Sequence, residues 1–556
     1  MARFSRRVAG CRLAAALALL ALSAPLRSTA VALAQVGSVG RIDPDLQRLL
    51  GADPLRQRPI IVEMEQSRPP FVTHPNVARA GAALDLLRLH GRPVGTLPLI
   101  GAAAGFADAA AVTALAGAPG VAFVHADRPV GPRRAAAAPP GPAPRPGAVY
   151  PLVVGADRVW GLGGTGRGVA VALLDSGVAP DADLTQPTNR LLAAVNFAGR
   201  CGGPADPGGH GTHVAGIIGG NGIRSAGQFV GIAPEAGVVD VRVLNCVGNG
   251  RISSVVRGIG WVLANRARYN IRVLNLSFGA PSNGSYRLDP LAAAVELAWR
   301  RGLVVVAAAG NGGPSGGTVE SPAVDPYLIA VGASDDQGTA AVADDQLAWF
   351  SAWGAASDAP TRPDLVAPGR RIVSLRVPGS YLDQRFPDRV VLASNGASYF
   401  RLTGTSMATP IVAGAAALLL QRQPGLQPDQ VKALLTGTTQ TYGQSSGTAP
   451  PDPAADGSGL LDTYAATLSA SRGAANRGLR PADGFSRHVY PVLYGRPLVW
   501  RDPTYLGVDW AALTWATLNW GEAAWSNLAW DAIGWSDAAW DDAAWDDAAW
   551  DSFAID

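Results

Sequence analysis

Short runs of apolar, mostly β-branched residues alternate with helical stretches along the chain between Tyr150 and Ala466. The runs are VAVALLD, VVDVRVL, IRVLNLSF, LVVVAAAG and YLIAVGA. Strands that are apolar at nearly every position are typical of parallel sheets covered on both faces. The pattern therefore predicts an α/β domain over residues 150–466, with a mostly parallel twisted sheet and helices on both faces.

A smaller pattern of strands and helices precedes this region. Strand-like segments lie at Pro59–Met64, Leu97–Ala102 and Val121–Val124. One predicted helix begins near Asn76 and ends at Gly91, and a second lies near Asp108–Leu115. Together these elements predict a small α+β domain within residues 35–130. The Pro/Ala-rich stretch that follows, residues 131–149, cannot form a core and is expected to be an exposed linker open to proteases.

The first 34 residues have the pattern of a secretory signal peptide. Four arginines precede and flank a short apolar run, Leu13–Leu22, and Ala32-Leu33-Ala34 forms a cleavage site with small residues at its first and third positions. We expect cleavage after Ala34. The apolar run is too short to span a bilayer, and no later segment is continuously apolar for about 18 residues. The sequence therefore predicts a secreted protein without a membrane span.

The end of the sequence contains an internal repeat. Within the predicted C-terminal extension, residues 467–556, a Trp recurs at every fifth position from Trp510 to Trp550. Five residues advance an α-helix by about 140°, so successive Trp side chains do not share a helix face. Two interpretations remain open, a short solenoid-like stack and an adhesive, largely disordered tail. The repeat suggests adhesion or anchoring, including contact with the cell envelope, as an accessory role.

Composition and charge exclude several classes of protein. Hydrophobic residues are 48% and charged residues 16% of the 556 positions, which excludes a disordered polyelectrolyte and a coiled coil. The formal net charge is only +3, and no run of basic residues is interleaved with aromatic ones, so we expect no nucleic-acid partner. Once the signal peptide is removed, Cys201 and Cys246 remain. An oxidising compartment favours a disulfide between them, with two buried free thiols as the alternative.

The residue types needed for nucleophilic catalysis occur where such a fold places functional groups. Asp175 directly follows a predicted strand, and open α/β sheets carry functional groups at the carboxyl ends of strands. Ser406 begins a long apolar helix, where backbone N–H groups and the helix dipole lie beside its hydroxyl. His210 and His213 lack a third ligand for a metal site. Considered singly, the Asp and the Ser are explained as helix or turn caps. Together, the order Asp, His, Ser is one of three known for a catalytic triad.

Five segments make a more specific case. DSGV, GHGTHVAG, NLSFG, AAAGNGG and GTSMATP resemble the motifs of the subtilisin-like serine peptidases, and they span most of residues 150–466. The resemblance implies that Ser406 attacks the scissile carbonyl, with His210 taking its proton and Asp175 orienting His210. It also implies that the Asn311 side chain and the Ser406 N–H stabilise the oxyanion. His213 matches a structural position of the family.

The resemblance also implies a cleft in which substrate lies as an extended strand, paired through its backbone on both sides. The implied residues are Ser277, Phe278 and Gly279 on one side, Gly248, Asn249 and Gly250 on the other, and Gly310 beside the catalytic groups. Glu320 falls where the family lines the primary specificity pocket. An acid there would favour Arg or Lys before the cleaved bond, and a Glu that faces solvent is the alternative.

A secreted serine endopeptidase made as a zymogen is the function that this resemblance implies. Residues 35–130 resemble the inhibitory propeptide of the family, so we expect the propeptide to block the cleft until a cut within residues 131–150. The expected partners are protein or peptide substrates and the chain's own propeptide. The chemistry requires no cofactor. Structural calcium is common in the family, but no ligand set can be matched here and none is assigned.

Two other functions are each suggested by part of the sequence or its predicted fold. The first is a binding protein in which the Trp repeat is the functional part; the complete set of Asp175, His210, Ser406 and Asn311 argues against it. The second is an esterase of the α/β-hydrolase type. That class requires the order Ser, Asp, His and a G-x-S-x-G turn, whereas the serine here lies in G-T-S-M-A, so the esterase is excluded.

Overall fold

The computed structural model describes residues 41–65, 75–132, 148–203, 205–282, 285–355, 359–443 and 452–482. They form two compact units, which divide between Asp127 and Arg128. The predicted signal peptide, most of the predicted linker and the Trp repeat lie outside the described residues, so these stay predictions. In the part of the chain that is described, no helix combines the length and apolar character needed to cross a membrane.

The first unit is a four-stranded antiparallel sheet with helices packed on it. Its helices are α1 (Pro44–Ala52), α2 (Pro75–His90) and α3 (Ala109–Gly117), and its strands are β1 (Arg58–Met64), β2 (Arg92–Leu97), β3 (Ala102–Ala107) and β4 (Val121–Ala126). The strand order is β2-β3-β1-β4. Ile60 and Val62 of β1 pack with Leu87 of α2 and Leu115 of α3 in one buried apolar cluster.

The sequence predicted β1, β4, α2 and α3 of this unit, placed one strand wrongly and missed α1, β2 and β3. β1, β4 and α3 match predicted segments, and Asp108 caps α3 by accepting a hydrogen bond from the Ala111 N–H at 3.0 Å. The predicted strand Leu97–Ala102 is wrong, because Pro98–Ile100 forms a 3₁₀ turn between β2 and β3. Proline has no N–H for a strand ladder, and Gly101 has φ 62°, the left-handed conformation that such a turn requires.

The second unit is built from a large sheet, several short strand pairs and eleven helices among the described residues. Its strands are β5 (Pro129–Val130), β6 (Ala170–Asp175), β7 (Leu191–Asn196), β8 (Gly237–Arg242), β9 (Gly250–Arg251), β10 (Ile271–Leu276), β11 (Val304–Ala308), β12 (Ile329–Asp335), β13 (Gln346–Leu347), β14 (Gly354–Ala355), β15 (Thr361–Arg362), β16 (Leu365–Pro368), β17 (Ile372–Leu375), β18 (Val390–Leu392) and β19 (Ser398–Leu402). Its helices are α4 (Tyr150–Val153), α5 (Ala156–Trp160), α6 (Ala182–Thr185), α7 (His210–Gly219), α8 (Ile252–Asn265), α9 (Pro290–Arg300), α10 (Tyr381–Arg385), α11 (Thr405–Arg422), α12 (Pro428–Gly437), α13 (Pro453–Asp456) and α14 (Thr463–Leu468).

The large sheet confirms the predicted α/β class. Its strand order is β13-β12-β11-β10-β6-β8-β7, with β16 also paired to β12, and β13 is its one antiparallel member. β6 and β11 are buried at every position. A strand can be buried on both sides only when both faces of the sheet are covered, and this explains the continuous apolar runs of the sequence.

Candidate active site

Asp175 and His210 are hydrogen-bonded at the carboxyl end of β6, a strand in the interior of the sheet. β6 ends at Asp175, and α7 begins at His210. His210 Nδ1 lies 2.8 Å from Asp175 Oδ1 and 3.0 Å from Oδ2. The Asp175 side chain is fully buried and that of His210 nearly so. Burial alone would lower the pKa of His210, but the carboxylates of Asp175 and Asp206 raise it above its ordinary value.

His213, one turn further along α7, has a different environment. Its Nε2 lies 3.2 Å from the Ile372 carbonyl oxygen and 3.0 Å from that of Phe400. Burial, followed by the charge of nearby His210, lowers the pKa of His213 to about 3. The ring is therefore neutral near pH 7 and is held by the main chain. Of the two histidines in this motif, His210 is the one placed to act as a base.

Ser406 lies in the first turn of α11, and α11 packs against α7, the helix that begins with His210. Positions Thr405–Leu420 of α11 are all buried, as expected for a helix that is apolar on every side. Among the described residues, the hydrogen bonds of His210 go to Asp175 and none goes to Ser406. Such bonds in resting active sites often form only with substrate bound, and the helix contact brings the two residues to the same edge of the sheet.

Asn311 is positioned by the residue that precedes Ser406. Its Oδ1 accepts hydrogen bonds from the Thr405 N–H at 2.9 Å and from Thr405 Oγ1 at 3.1 Å. These two bonds fix the plane of the amide, with Nδ2 on the side of Gly404. Thr405 also positions Gly310, because the Gly310 N–H donates a hydrogen bond to Thr405 Oγ1 at 3.2 Å. The amide is therefore fixed next to the serine before any reaction begins.

A segment of the chain itself lies between the two predicted substrate-binding segments. β5 pairs antiparallel with β9, with Val130 opposite Gly250. On its other side, Gly131 and Gly279 exchange hydrogen bonds, at 3.1 Å from Gly131 N to Gly279 O and 3.3 Å from Gly279 N to Gly131 O. Asn249 also borders Gly131, because a Cβ atom added to Gly131 would lie 3.2 Å from Asn249 Oδ1. The three-stranded arrangement is the pairing expected of a bound peptide.

The other predicted cleft residues contribute in different ways. The side chains of Ser277 and Phe278 are buried, so these two residues can face the cleft only through their backbone. Ser277 Oγ accepts a hydrogen bond from Asn275 Nδ2 at 2.9 Å. A Cβ on Gly131 would lie 3.0 Å from the Gly248 carbonyl oxygen, so Gly248 borders the same position as Asn249.

Glu320 is buried against two glycines of the site. Its side chain is 3% exposed, so it does not face solvent. A Cβ on Gly279 would lie 2.6 Å from the Glu320 Cβ, and one on Gly310 would lie 2.8 Å from the Glu320 Cγ. Only glycine at these two positions leaves room for the glutamate. The carboxylate therefore lies beside the strand that pairs with Gly131 and beside the neighbour of Asn311.

Cys201 and Cys246 form the predicted disulfide, with a Cα–Cα distance of 5.8 Å. Cys201 belongs to the loop that leads to His210. Cys246 belongs to a turn that leads to β9, in which Asn245 N donates to the Asn249 carbonyl at 2.6 Å. The bond therefore links the loop before His210 to one edge of the predicted cleft.

Asp206 is a buried carboxylate beside the site that was not predicted from the sequence. It is fully buried and lies four residues before His210. An Asp shortly before a helix is a capping signal, so recognition of the helix that begins at His210 could have identified it. Among the described residues there is no group of three or more His, Cys, Asp and Glu side chains arranged to hold a metal ion.

Comparison with known proteins places this geometry in a family. The sequence pattern of the Subtilase family matches residues 166–459. The chain is 42% identical to serine protease AprX of Bacillus subtilis over 287 residues, which cover 50% of this chain and 62% of AprX. It is 35% identical to Subtilisin Savinase of Lederbergia lenta over 303 residues, which cover 54% of this chain and 92% of that protein. With Subtilisin DY of Bacillus licheniformis the identity is 34%, over 53% of this chain and 91% of the relative. These matches, together with the Asp175–His210 pair and the buried helix of Ser406, show that the chain belongs to the subtilase family of serine peptidases.

Proposed function

We propose that this protein is a secreted serine endopeptidase, made as an inactive precursor, that cleaves extended segments of proteins. The observation that carries the proposal is the buried Asp175–His210 hydrogen bond, beside a helix whose first turn holds Ser406. A serine hydroxyl is a weak nucleophile without an adjacent base, and His210 is the base that these contacts supply. Asn311, fixed by Thr405, supplies a donor for the negative charge that develops on the substrate.

The chemistry follows from these positions. Ser406 Oγ attacks the scissile carbonyl carbon while His210 takes its proton, and Asp175 holds the ring and stabilises its positive charge. The Asn311 amide and the Ser406 N–H donate to the oxyanion. His210 then gives the proton to the leaving amine, which leaves an acyl group on Ser406. A water molecule, activated by the same imidazole, hydrolyses the ester and restores the serine.

The strand at Pro129–Gly131 supports a zymogen. It occupies the groove between β9 and Gly279 that a substrate would use. The strand is antiparallel to the segment Ser277–Gly279, so at Gly131 it is directed toward the carboxyl end of β10. β10 is paired with β6, the strand that ends at Asp175. We therefore infer that the precursor blocks its own cleft and is cut within residues 131–150, shortly after this strand.

Labelling with a fluorophosphonate probe tests the proposal, because the probe reacts with an activated serine and not with an ordinary one. The secreted, matured protein should be labelled at Ser406, and Ser406→Ala should abolish labelling. Ser471→Ala, a substitution at an exposed serine, should leave it unchanged. Absence of labelling in the matured, folded wild-type protein would contradict peptidase activity and favour a binding protein built on a peptidase fold.

A further inference from the structure

Asp206 holds together the two parts of the chain that carry Asp175 and His210. Its Oδ1 accepts hydrogen bonds from Ser176 Oγ and from the Gly209 N–H, both at 2.8 Å. Its Oδ2 accepts from the Thr212 N–H at 2.8 Å and from Thr212 Oγ1 at 2.7 Å. A buried carboxylate is costly unless its oxygens are hydrogen-bonded, and four donors here meet that requirement.

The donors come from both sides of the catalytic pair. Ser176 directly follows Asp175 at the end of β6, and Ser176 Oγ also accepts from the Gly211 N–H at 3.0 Å. The other donors flank His210 in the first turn of α7. A hydrogen-bonded bridge therefore runs from the residue after Asp175, through the Asp206 carboxylate, to the residues on either side of His210.

We propose that Asp206 is a positioning residue for the peptidase reaction, which locks the first turn of α7 to the end of β6 and so fixes the His210 ring against Asp175. This inference rests on the proposed function. Asp206 acts through His210 and is not placed to touch substrate. Fixed geometry of this kind matters because a misplacement of about 1 Å at a catalytic group can lower a rate about 100-fold.

The charge of Asp206 gives the proposal a second measurable effect, a change in the pKa of His210, which a purely structural role would not produce. Asp175 and Asp206 both raise the pKa of His210, and nearby His213 is neutral near pH 7. Burial raises the pKa of Asp206 itself, and the four donors oppose that shift. Two more ionisable side chains face this group of carboxylates, those of Asp240, whose pKa burial raises to about 8, and Arg242, whose pKa burial lowers.

Asp206→Asn keeps the size of the side chain but places an N–H₂ group where an oxygen now accepts from Thr212. With the wild type active on a peptide substrate, we expect kcat for this variant to fall about 10- to 100-fold while KM changes little. The acid limb of kcat/KM should move to lower pH, because a negative charge near His210 is removed. Ser176→Ala, which deletes one of the four hydrogen bonds, should show a smaller fall in kcat.

Asp183→Asn is the matched control. Asp183 is also a fully buried carboxylate, and it accepts hydrogen bonds from the Arg224 N–H and the Tyr399 hydroxyl instead. We expect this control to lower the melting temperature without changing kcat or the acid limb. If Asp206→Asn and Ser176→Ala behave like the control, with kcat within about twofold of the wild type and an unmoved acid limb, Asp206 has no positioning role. An inactive wild type would instead overturn the proposed function.

Discussion

Glu320 lies so close to Gly279 that its Cβ would be 2.6 Å from any side-chain Cβ at position 279. The glutamate thus occupies space that exists because position 279 has no side chain. Gly279 also pairs with Gly131, so the acidic group is buried next to the residue that Gly131 pairs with. We expect a buried carboxylate at this place to discriminate between substrates by their charge.

We therefore expect a preference for Arg or Lys over large apolar residues before the cleaved bond. When one partner of a buried ion pair between a protein and its ligand is truncated, about 2–5 kcal/mol of binding free energy is lost. Glu320→Gln should lower kcat/KM for Arg peptides by roughly 30-fold or more, and should leave Leu peptides nearly unchanged. A peptide library measured on both enzymes checks this. A wild-type preference for Phe or Leu over Arg would contradict it.

Maturation by the enzyme itself is the second prediction. Ser406→Ala should accumulate as an uncut precursor, because the variant lacks the nucleophile needed to cleave its own chain. Intact-mass measurement of the secreted wild type should show an amino terminus within residues 131–150. Arg133 and Arg134 are the first basic residues after β5, so they are the expected first sites if Glu320 selects for positive charge. Normal processing of Ser406→Ala would show that another protease makes the cut.

The sequence allowed the candidate catalytic residues to be placed on elements of the fold, because local patterns mark their positions. Asp175 ends a run of buried apolar residues, and Ser406 precedes a long helix that is apolar on all sides. In a mostly parallel sheet, strand ends share one edge, so a residue at the end of a strand can be placed without knowledge of its contacts. The fold class follows from the same runs of apolar residues.

The features that could not be predicted depend on contacts between distant segments. TVESP does not show whether Glu320 faces solvent, because its burial is determined by Gly279 and Gly310 from other parts of the chain. Asp206 lies in an irregular loop, and the role proposed for it depends on donors from Ser176, which follows β6, and from α7. The error at Leu97–Ala102 was different, since Pro98 and Gly101 already indicated a turn.

The disulfide should stabilise the second unit substantially. Cys201 and Cys246 are separated by 45 positions, and closing a loop of that length restricts the unfolded chain by about 4 kcal/mol in the chain-entropy account. A Cys201→Ala/Cys246→Ala double variant should lose about that much free energy of unfolding. Denaturant titration of the matured enzyme, inactivated by fluorophosphonate to prevent autolysis, measures the loss. Treating the wild type with a reductant is the control and should shift its midpoint by a similar amount. An unchanged midpoint in both experiments would contradict the prediction.

Asp345 should make stability depend on pH. Its carboxylate is fully buried, and neither oxygen has a hydrogen-bond partner among the described residues. Burial, reinforced by the charges of Asp336 and Asp344, raises the pKa of Asp345 to about 8. The folded chain therefore holds a proton that the unfolded chain releases near pH 4, and this group's contribution to stability falls as the pH rises from about 4 to about 8.

Asp345→Asn removes the buried charge and keeps the shape of the side chain. The variant should therefore melt at a higher temperature than the wild type at pH 8, and the difference should shrink toward pH 4. For each pH unit in this range, the titration of Asp345 can change the free energy of unfolding of the wild type by at most about 1.4 kcal/mol. Thermal unfolding of fluorophosphonate-inactivated enzyme at several pH values checks this, with Asp388→Asn, at an exposed position, as a control of equal net charge. A variant less stable than the wild type at pH 8 would mean that the ionised carboxylate is stabilised in the folded protein, contrary to the burial argument.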